Sequence, residues 1–429
     1  MKKVLIIVAA AVLMPALLVL TALIPRSLIK ENSLRSAQYL YEGELFGYGV
    51  DGVEGSRIDR YADAILLNIA YNLDSDYPLR SVMLSAYYFT PDHEENENYL
   101  MAVRDDPGIN RQYLRYWHGS IALVRPLLTV LSVRGIYILN AVILVLLFAS
   151  FIFMCIRSGE YHLATAYGIA LVLTRAWFVP FSLEYTWMFM LMLVCSLIAI
   201  RLFQKGLKGY YGVFFMITGM VTAFLDFLTT ETITLLMPLL ILLWLERHDV
   251  VSRENEGSLP SAVSCFVKRK DVRMWAKCAV LWLLGYAGMW TMKWVMCSLV
   301  MKENAFPYVT EHVTERLAGT AGVETDHFII EAITRNIACL FPIGYGAASV
   351  MIFIAIILFA AYRGFVYRRG KCDPVWIMLV AVTGLVPYIR YVVLHNHSYI
   401  HCFFTYRAQA ASVAAVVLVI AALTERKDA

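Results

Sequence analysis

Two carboxylates stand four residues apart in Ser56-Arg57-Ile58-Asp59-Arg60-Tyr61-Ala62-Asp63, a spacing that puts both on one side of a helix. Beside them runs an apolar stripe of Ile58, Ala62, Ile65, Leu66, Ile69 and Leu73, so Asp59 or Asp63 would be placed as a general base is. Ser56-x-x-Asp59 also has the form of a capping box, in which the acid serves only the helix N-terminus. Arg111, Arg115, His118 and Arg125 follow at intervals of four, three and seven. An unbroken helix would set all four along one edge, with Leu114, Trp117, Ile121 and Val124 on its other faces. Guanidinium groups hold phosphate by forked hydrogen bonds, which makes Arg111, Arg115, His118 and Arg125 a candidate anion-binding edge. The alternative is an interfacial helix whose arginines reach ordinary lipid headgroups. Pro126 would kink or end that helix where Arg125 joins it.

A third group is His395, His397 and His401, with Tyr406 and Arg407 just beyond. The HxH and HxxxH spacings are those of metal ligands, but only Cys402 stands near enough to complete a set. Phosphate or sugar contact is therefore the expectation, with a structural cluster as the alternative, and neither a metal nor a cofactor is expected. Ionisable residues within apolar runs are costly and therefore informative. Here they are Arg175, Asp226 and Lys293, with Glu184 and Glu231 near the run ends, and some should pair with one another. The string Asp226-Phe227-Leu228-Thr229-Thr230-Glu231 brings acids and hydroxyls to a helix-hairpin tip, where caps and a buried Arg–Asp pair are the structural reading.

The elements that must carry these groups follow from composition. Sixty per cent of the chain is hydrophobic and 16% charged, against roughly 25% charged in an ordinary soluble domain. Apolar runs recur at about the twenty-residue length that spans hydrocarbon as a helix. The expected class is an all-α polytopic membrane protein with about ten transmembrane helices. Residues 1–25 form a signal-anchor helix, and 26–132 a long extracytoplasmic loop with interfacial amphipathic helices between helices 1 and 2. Helices 2–6 follow over 133–246, a cytoplasmic linker over 247–274, and helices 7–10 over 275–429 with an outer loop at 302–343.

Expected spans run near 4–24, 135–156, 163–181, 184–203, 210–228, 231–246, 275–300, 346–366, 374–394 and 405–424. Loops on one side then hold Arg157; Lys205 and Lys208; Lys268, Arg269, Lys270 and Arg273; Arg363, Arg368, Arg369 and Lys371; and Arg426 and Lys427. The positive-inside rule puts that side and both termini in the cytoplasm of a multi-pass cell-membrane protein. A re-entrant unit at Asp226–Glu231 would flip everything downstream and put the 268–273 cluster outside. The net charge of +4 is small and dispersed, so no nucleic-acid partner is expected. Eight cysteines with no CxxC pair indicate neither a disulfide framework nor a zinc site.

An N-terminal anchor, a long outer loop bearing acids and interfacial helices, and then many spans together resemble the GT-C superfamily of membrane glycosyltransferases. Three strings also resemble those of uncharacterised polytopic membrane proteins of Gram-positive bacteria. They are Arg115-Tyr116-Trp117-His118-Gly119 with Arg125-Pro126-Leu127-Leu128, Asp226-Phe227-Leu228-Thr229-Thr230, and Asn396-His397-Ser398 through His401 to Arg407. The resemblance implies transfer of a sugar from a polyprenyl-phosphate carrier to a cell-envelope acceptor at the outer membrane face. Asp59 or Asp63 would be the base, Arg115, His118 and Arg125 would hold the carrier phosphate, and His397, His401 and Arg407 would close the site. Arg111, Trp117, Glu184, Asp226, Glu231 and His395 complete the expected substrate-binding set. The intramembrane charges support an alternative, a transporter or lipid flippase; a non-catalytic scaffold would need no enclosed polar cavity.

Overall fold

In lipid a backbone must satisfy its own hydrogen bonds, and helices do so within one segment. The computed structural model describes residues 1–251, 269–318, 327–341 and 373–424, with scattered positions between 348 and 362. Among the described residues there is no β-strand, only isolated bridges pairing Tyr48 with Arg57 and Tyr87 with Arg111. The fold is that of an all-α membrane protein. Among the described residues six helices are long and apolar enough to cross a membrane: Lys2–Ala22, Val133–Arg157, Thr186–Gln204, Lys208–Leu225, Pro374–Val393 and Cys402–Thr424. Most of the expected span near 346–366, most of the 247–274 linker and the basic clusters at 363–371 and 426–427 lie outside the described residues.

The helices, in chain order, begin with α1 (Lys2–Ala22), α2 (Arg26–Tyr41), α3 (Arg60–Asn72), α4 (Pro78–Leu84), α5 (Glu95–Arg104) and α6 (Ile121–Leu127). Next come α7 (Val133–Arg157), α8 (Tyr161–Leu173), α9 (Thr186–Gln204), α10 (Tyr211–Leu225), α11 (Ile233–Val251) and α12 (Lys270–Met301). The rest are α13 (Phe306–Ala318), α14 (Phe328–Leu340), α15 (Pro374–Val393), α16 (His395–Ile400), α17 (Cys402–Thr405) and α18 (Ala410–Thr424). The run expected to span 163–181 is instead the short α8 followed by Arg175 in a left-handed conformation (φ 50°) and a 3-10 turn, Ala176–Phe181.

Polar contacts sort the helix ends into two sets. At one end Lys3 Nζ donates to the Gly209 carbonyl at 2.6 Å, and Gln204 Nε2 donates to Ser158 Oγ at 2.7 Å. Lys208 and the Tyr211 hydroxyl both reach Glu246 at 3.0 Å, and Arg269 pairs with Asp373. Lys3, Lys208 and Arg269, which flank the apolar runs, all lie at this end. Since the starts of α10 and the tail of α11 meet there, the two helices form an antiparallel hairpin, and the Asp226–Glu231 tip turns at the opposite end.

α10 and α12 pack backbone to backbone. A Cβ on Gly219 would lie 2.1 Å from the Trp282 carbonyl oxygen, and one on Gly285 would lie 2.0 Å from that of Met216. Small residues permit such close approach where lipid supplies no hydrophobic drive between helices.

The segment between α1 and α7 departs from the expected surface-lying helices. Asp63 through Asn72 of α3 are buried on every face, and α3 packs on α2, α5 and α6. Its polar side chains are absorbed locally: Asn68 Nδ2 donates to the Tyr88 carbonyl at 2.9 Å, and Asn72 Nδ2 to Asn68 Oδ1 at 2.8 Å.

Candidate active site

A helix N-terminus leaves backbone N–H groups without partners, and an aspartate at the N-cap accepts from one of them. Asp59 does this for α3, accepting from the Ala62 N–H at 2.9 Å. α3 thus starts at Arg60, and Ser56 is no part of a capping box: its hydroxyl donates to the Val50 and Val53 carbonyls. Asp59 and Asp63 consequently face different surroundings. Asp59 lines a cavity of about 390 Å³. Asp63 lies behind it, accepting from the Tyr137 hydroxyl at 2.5 Å, the Leu183 N–H at 2.8 Å and the Ser182 hydroxyl at 3.3 Å.

Glu184, from the loop leading into α9, shares the cavity wall and a side-chain hydrogen bond with Asp59. Two carboxyls can share such a bond only through a proton. Burial raises Asp59 to about 6. Burial first, then the neighbouring charges of Asp59, Asp63 and Asp226, hold Glu184 well above the usual carboxyl range. The pair therefore carries one proton near neutrality, with Glu184 as donor and Asp59 as carboxylate. Asp63 is pushed to about 7, mainly by burial.

The opposing wall is the 111–118 segment, and it corrects the expected helix: Tyr87 pairs with Arg111 as a bridge, and helix resumes only at Ile121. Arg111, Arg115, His118 and Arg125 do not share an edge. Arg111 lies over the Phe89 ring at 4.1 Å, and Arg115 donates to the Tyr113 hydroxyl at 2.7 Å, its guanidinium 5.0 Å from the Tyr116 ring centre. His118 holds a left-handed backbone (φ 54°) against the end of α10, where the Gly119 N–H donates to the Phe224 carbonyl at 2.9 Å. A Cβ at Gly119 would lie 2.3 Å from that same oxygen, so glycine is required there. The His118 ring sits 4.9 Å from Tyr113 and 5.4 Å from Phe227, and neither ring nitrogen has a hydrogen-bond partner of ordinary geometry among the described residues. Burial, then the charges of Lys293 and Arg115, push its pKa well below the usual imidazole value, so it is neutral near pH 7. His397 and His401 close the cavity, their rings 4.6 Å apart, with His401 stacked on Phe404 at 5.1 Å.

The remaining expected residues lie elsewhere. Trp117 is buried and donates to the Met289 carbonyl at 2.8 Å. Arg125 donates to the carbonyls of Ala70, Leu73 and Ile24, satisfying the end of α3 rather than facing the cavity. Asp226 accepts from the Leu228 N–H at 2.8 Å and the Thr229 hydroxyl at 2.6 Å, which stiffens the hairpin tip. Glu231 forms a buried ion pair with Arg390. His395 contacts the Val392 carbonyl at 3.2 Å, and Arg407 donates to the Phe403 and Gly55 carbonyls at 3.1 Å. Among the described residues Arg175, Asp226 and Lys293 form no ion pair with one another. Arg175 donates to the Cys339 carbonyl at 2.6 Å, and Lys293 to the Val82 and Met83 carbonyls at 3.1 and 2.9 Å.

Sequence reasoning missed the aromatic lining, namely Tyr61, Tyr87, Tyr113, Tyr116, Phe227 and Tyr308. Tyr113 and Tyr116, interleaved with Arg111 and Arg115, were the available signal. Arg390 was missed too, although it is an ionisable residue inside an expected span. Among the described residues no group of three or more His, Cys, Asp or Glu is placed to hold a metal ion. The arrangement can accept a proton at Asp59 while holding an anion at Arg111 and Arg115, between aromatic faces suited to a ring-shaped substrate. Compared with known proteins, the chain matches no family model, no curated protein and no solved structure.

Proposed function

We propose that the chain is a GT-C-like glycosyltransferase that moves a sugar from a polyprenyl-phosphate carrier to a cell-envelope acceptor at the outer membrane face. The observation that carries this reading is the shared cavity: the Asp59–Glu184 pair on one wall and Arg111 and Arg115 on the other. Asp59 accepts the proton of the acceptor hydroxyl. The hydroxyl oxygen attacks the anomeric carbon, and the bond from that carbon to the carrier phosphate oxygen breaks. Negative charge grows on the phosphate, and the two guanidinium groups offset it. Glu184, protonated, donates to Asp59 and fixes its free lone pairs toward the cavity. His118, neutral, offers a hydrogen bond without adding charge.

The cavity is built from residues at the helix ends opposite the Lys3, Lys208 and Arg269 contacts. The positive-inside rule then assigns the cavity to the outer side and the basic end to the cytoplasm. Ten crossings with both termini cytoplasmic complete this topology. A transporter reading loses its motive, because Arg175, Asp226 and Lys293 are each occupied by local partners.

The test uses the full chain in liposomes with polyprenyl-phosphate hexoses bearing labelled sugar and a cell-envelope extract that supplies acceptor hydroxyls, reading passage of the label from the carrier. The chain should deplete at least one such carrier, and D59N should slow it by about 10²–10⁴-fold, the usual worth of a general base. Depletion of none, or undiminished transfer by D59N, would overturn the reading.

A further inference from the structure

Sulfur atoms among the described residues are mostly solitary. Cys155, Cys195, Cys278 and Cys297 are buried singly within helices, where a thiol packs as a small hydrophobe. Cys339 and Cys402 differ. Cys339 is in the last turn of α14 and Cys402 opens α17, and these two helices pack on each other. The two side chains belong to one small buried cluster with Leu340 and Tyr406 and hydrogen-bond to each other. Arg335, one turn before Cys339, hydrogen-bonds the Cys402 sulfur. The thiolate is the species that attacks disulfides.

Their location in the bundle adds the second observation. Cys402 follows His401, a cavity residue, and the Cys339 carbonyl accepts from Arg175 beside the same end of the bundle. That is the end assigned to the outer side under the proposed function, and oxidising conditions outside the cytoplasm are where disulfides persist.

We propose that Cys339 and Cys402 form a disulfide that staples α14 to the His397–His401 segment. The reaction is exchange with a disulfide oxidant. The Cys402 thiolate attacks one oxidant sulfur, forming a mixed disulfide and releasing the other as a thiolate. The Cys339 thiolate then attacks Cys402 Sγ and displaces the remaining oxidant thiol. Two electrons and two protons leave the protein, and the oxidant ends as two thiols. The exchange takes place while the segment is still entering the outer side, before the cluster closes over both sulfurs. Once buried, the bond is shielded from reductant. The staple holds the wall carrying His397 and His401 against Gly55, whose carbonyl accepts from both Tyr406 and Arg407.

The inference rests on the orientation adopted in the proposed function, so the experiment reads the two separately. Cells expressing the full chain are quenched in acid, denatured with N-ethylmaleimide without reductant, and digested for mass spectrometry. A Cys339–Cys402 cross-linked peptide, about 2 Da lighter than its two thiol peptides together, is expected; it should vanish with reductant and in C339S. Both cysteines recovered as maleimide adducts would overturn the proposal. In parallel, S75C, at an exposed loop position between α3 and α4, is labelled in intact cells with a membrane-impermeant maleimide. Labelled S75C with free native thiols refutes the disulfide alone, whereas unlabelled S75C that reacts only after lysis refutes the orientation as well.

Discussion

Asn in place of Asp59 should inactivate the protein and at the same time stabilise it. Folding lifts the Asp59 carboxyl from 3.8 to about 6, so the folded state favours the protonated form. The stability associated with that preference is complete below about pH 4 and is lost as pH rises through about 6. At neutral pH the ionised, buried carboxylate therefore costs about 3 kcal/mol, from a shift of about two units at 1.36 kcal/mol each. Asn caps a helix about as well as Asp and can keep the Ala62 N–H satisfied. D59N removes the charge without removing the cap, and it also relieves the repulsion on Glu184. Thermal unfolding of the detergent-solubilised chain should show D59N melting a few degrees above wild type at about pH 7.5, with the gap closing at about pH 4.5. Carrier turnover measured on the same preparations should be lost. A D59N variant that melts below wild type at the higher pH, or that turns over carrier normally, would refute the account of Asp59 as a strained base.

Three further outcomes follow from the geometry. Turnover should rise with pH along a limb near 6, reporting the Asp59–Glu184 pair; E184A should move the limb to higher pH by removing the donor to Asp59, while E184Q, which still donates, should not. Breaking the buried Glu231–Arg390 ion pair with R390M should cost about 3–5 kcal/mol, and adding E231L should recover much of it, which thermal unfolding of single and double variants checks. R115Q should raise KM for the lipid-linked sugar and leave the melting temperature unchanged. By contrast, R125Q, which strands carbonyls at the end of α3 at about 1–3 kcal/mol each, should lower folded yield and melting temperature.

The hydrophobic runs were legible because helix length against bilayer thickness is a local property. The ends of α1, α7, α9 and α15 fall within a few residues of expectation, and the candidate acids and cations were singled out by residue type alone. Three-dimensional contacts overruled the local pattern elsewhere. The 111–125 helix was read from spacing, but Tyr87 takes Arg111 into a bridge and Gly119 docks on the end of α10, so the chain runs through bends and a turn and becomes helical only at Ile121. α3 carries an amphipathic stripe, yet α2, α5 and α6 cover it from all sides.

Residue type also cannot say which charged group remains for a ligand. Arg115 and Arg125 look alike in sequence, but one faces a cavity and the other is consumed by backbone carbonyls. Asp59 and Asp63 differ by one helical turn, and only the first meets Glu184, a residue brought in by the loop before α9. Sequence alone determined the solvent this chain is made for and the chemical groups it brings. Tertiary structure decided which of those groups meet, because pairing and burial depend on contacts between stretches that no local period connects.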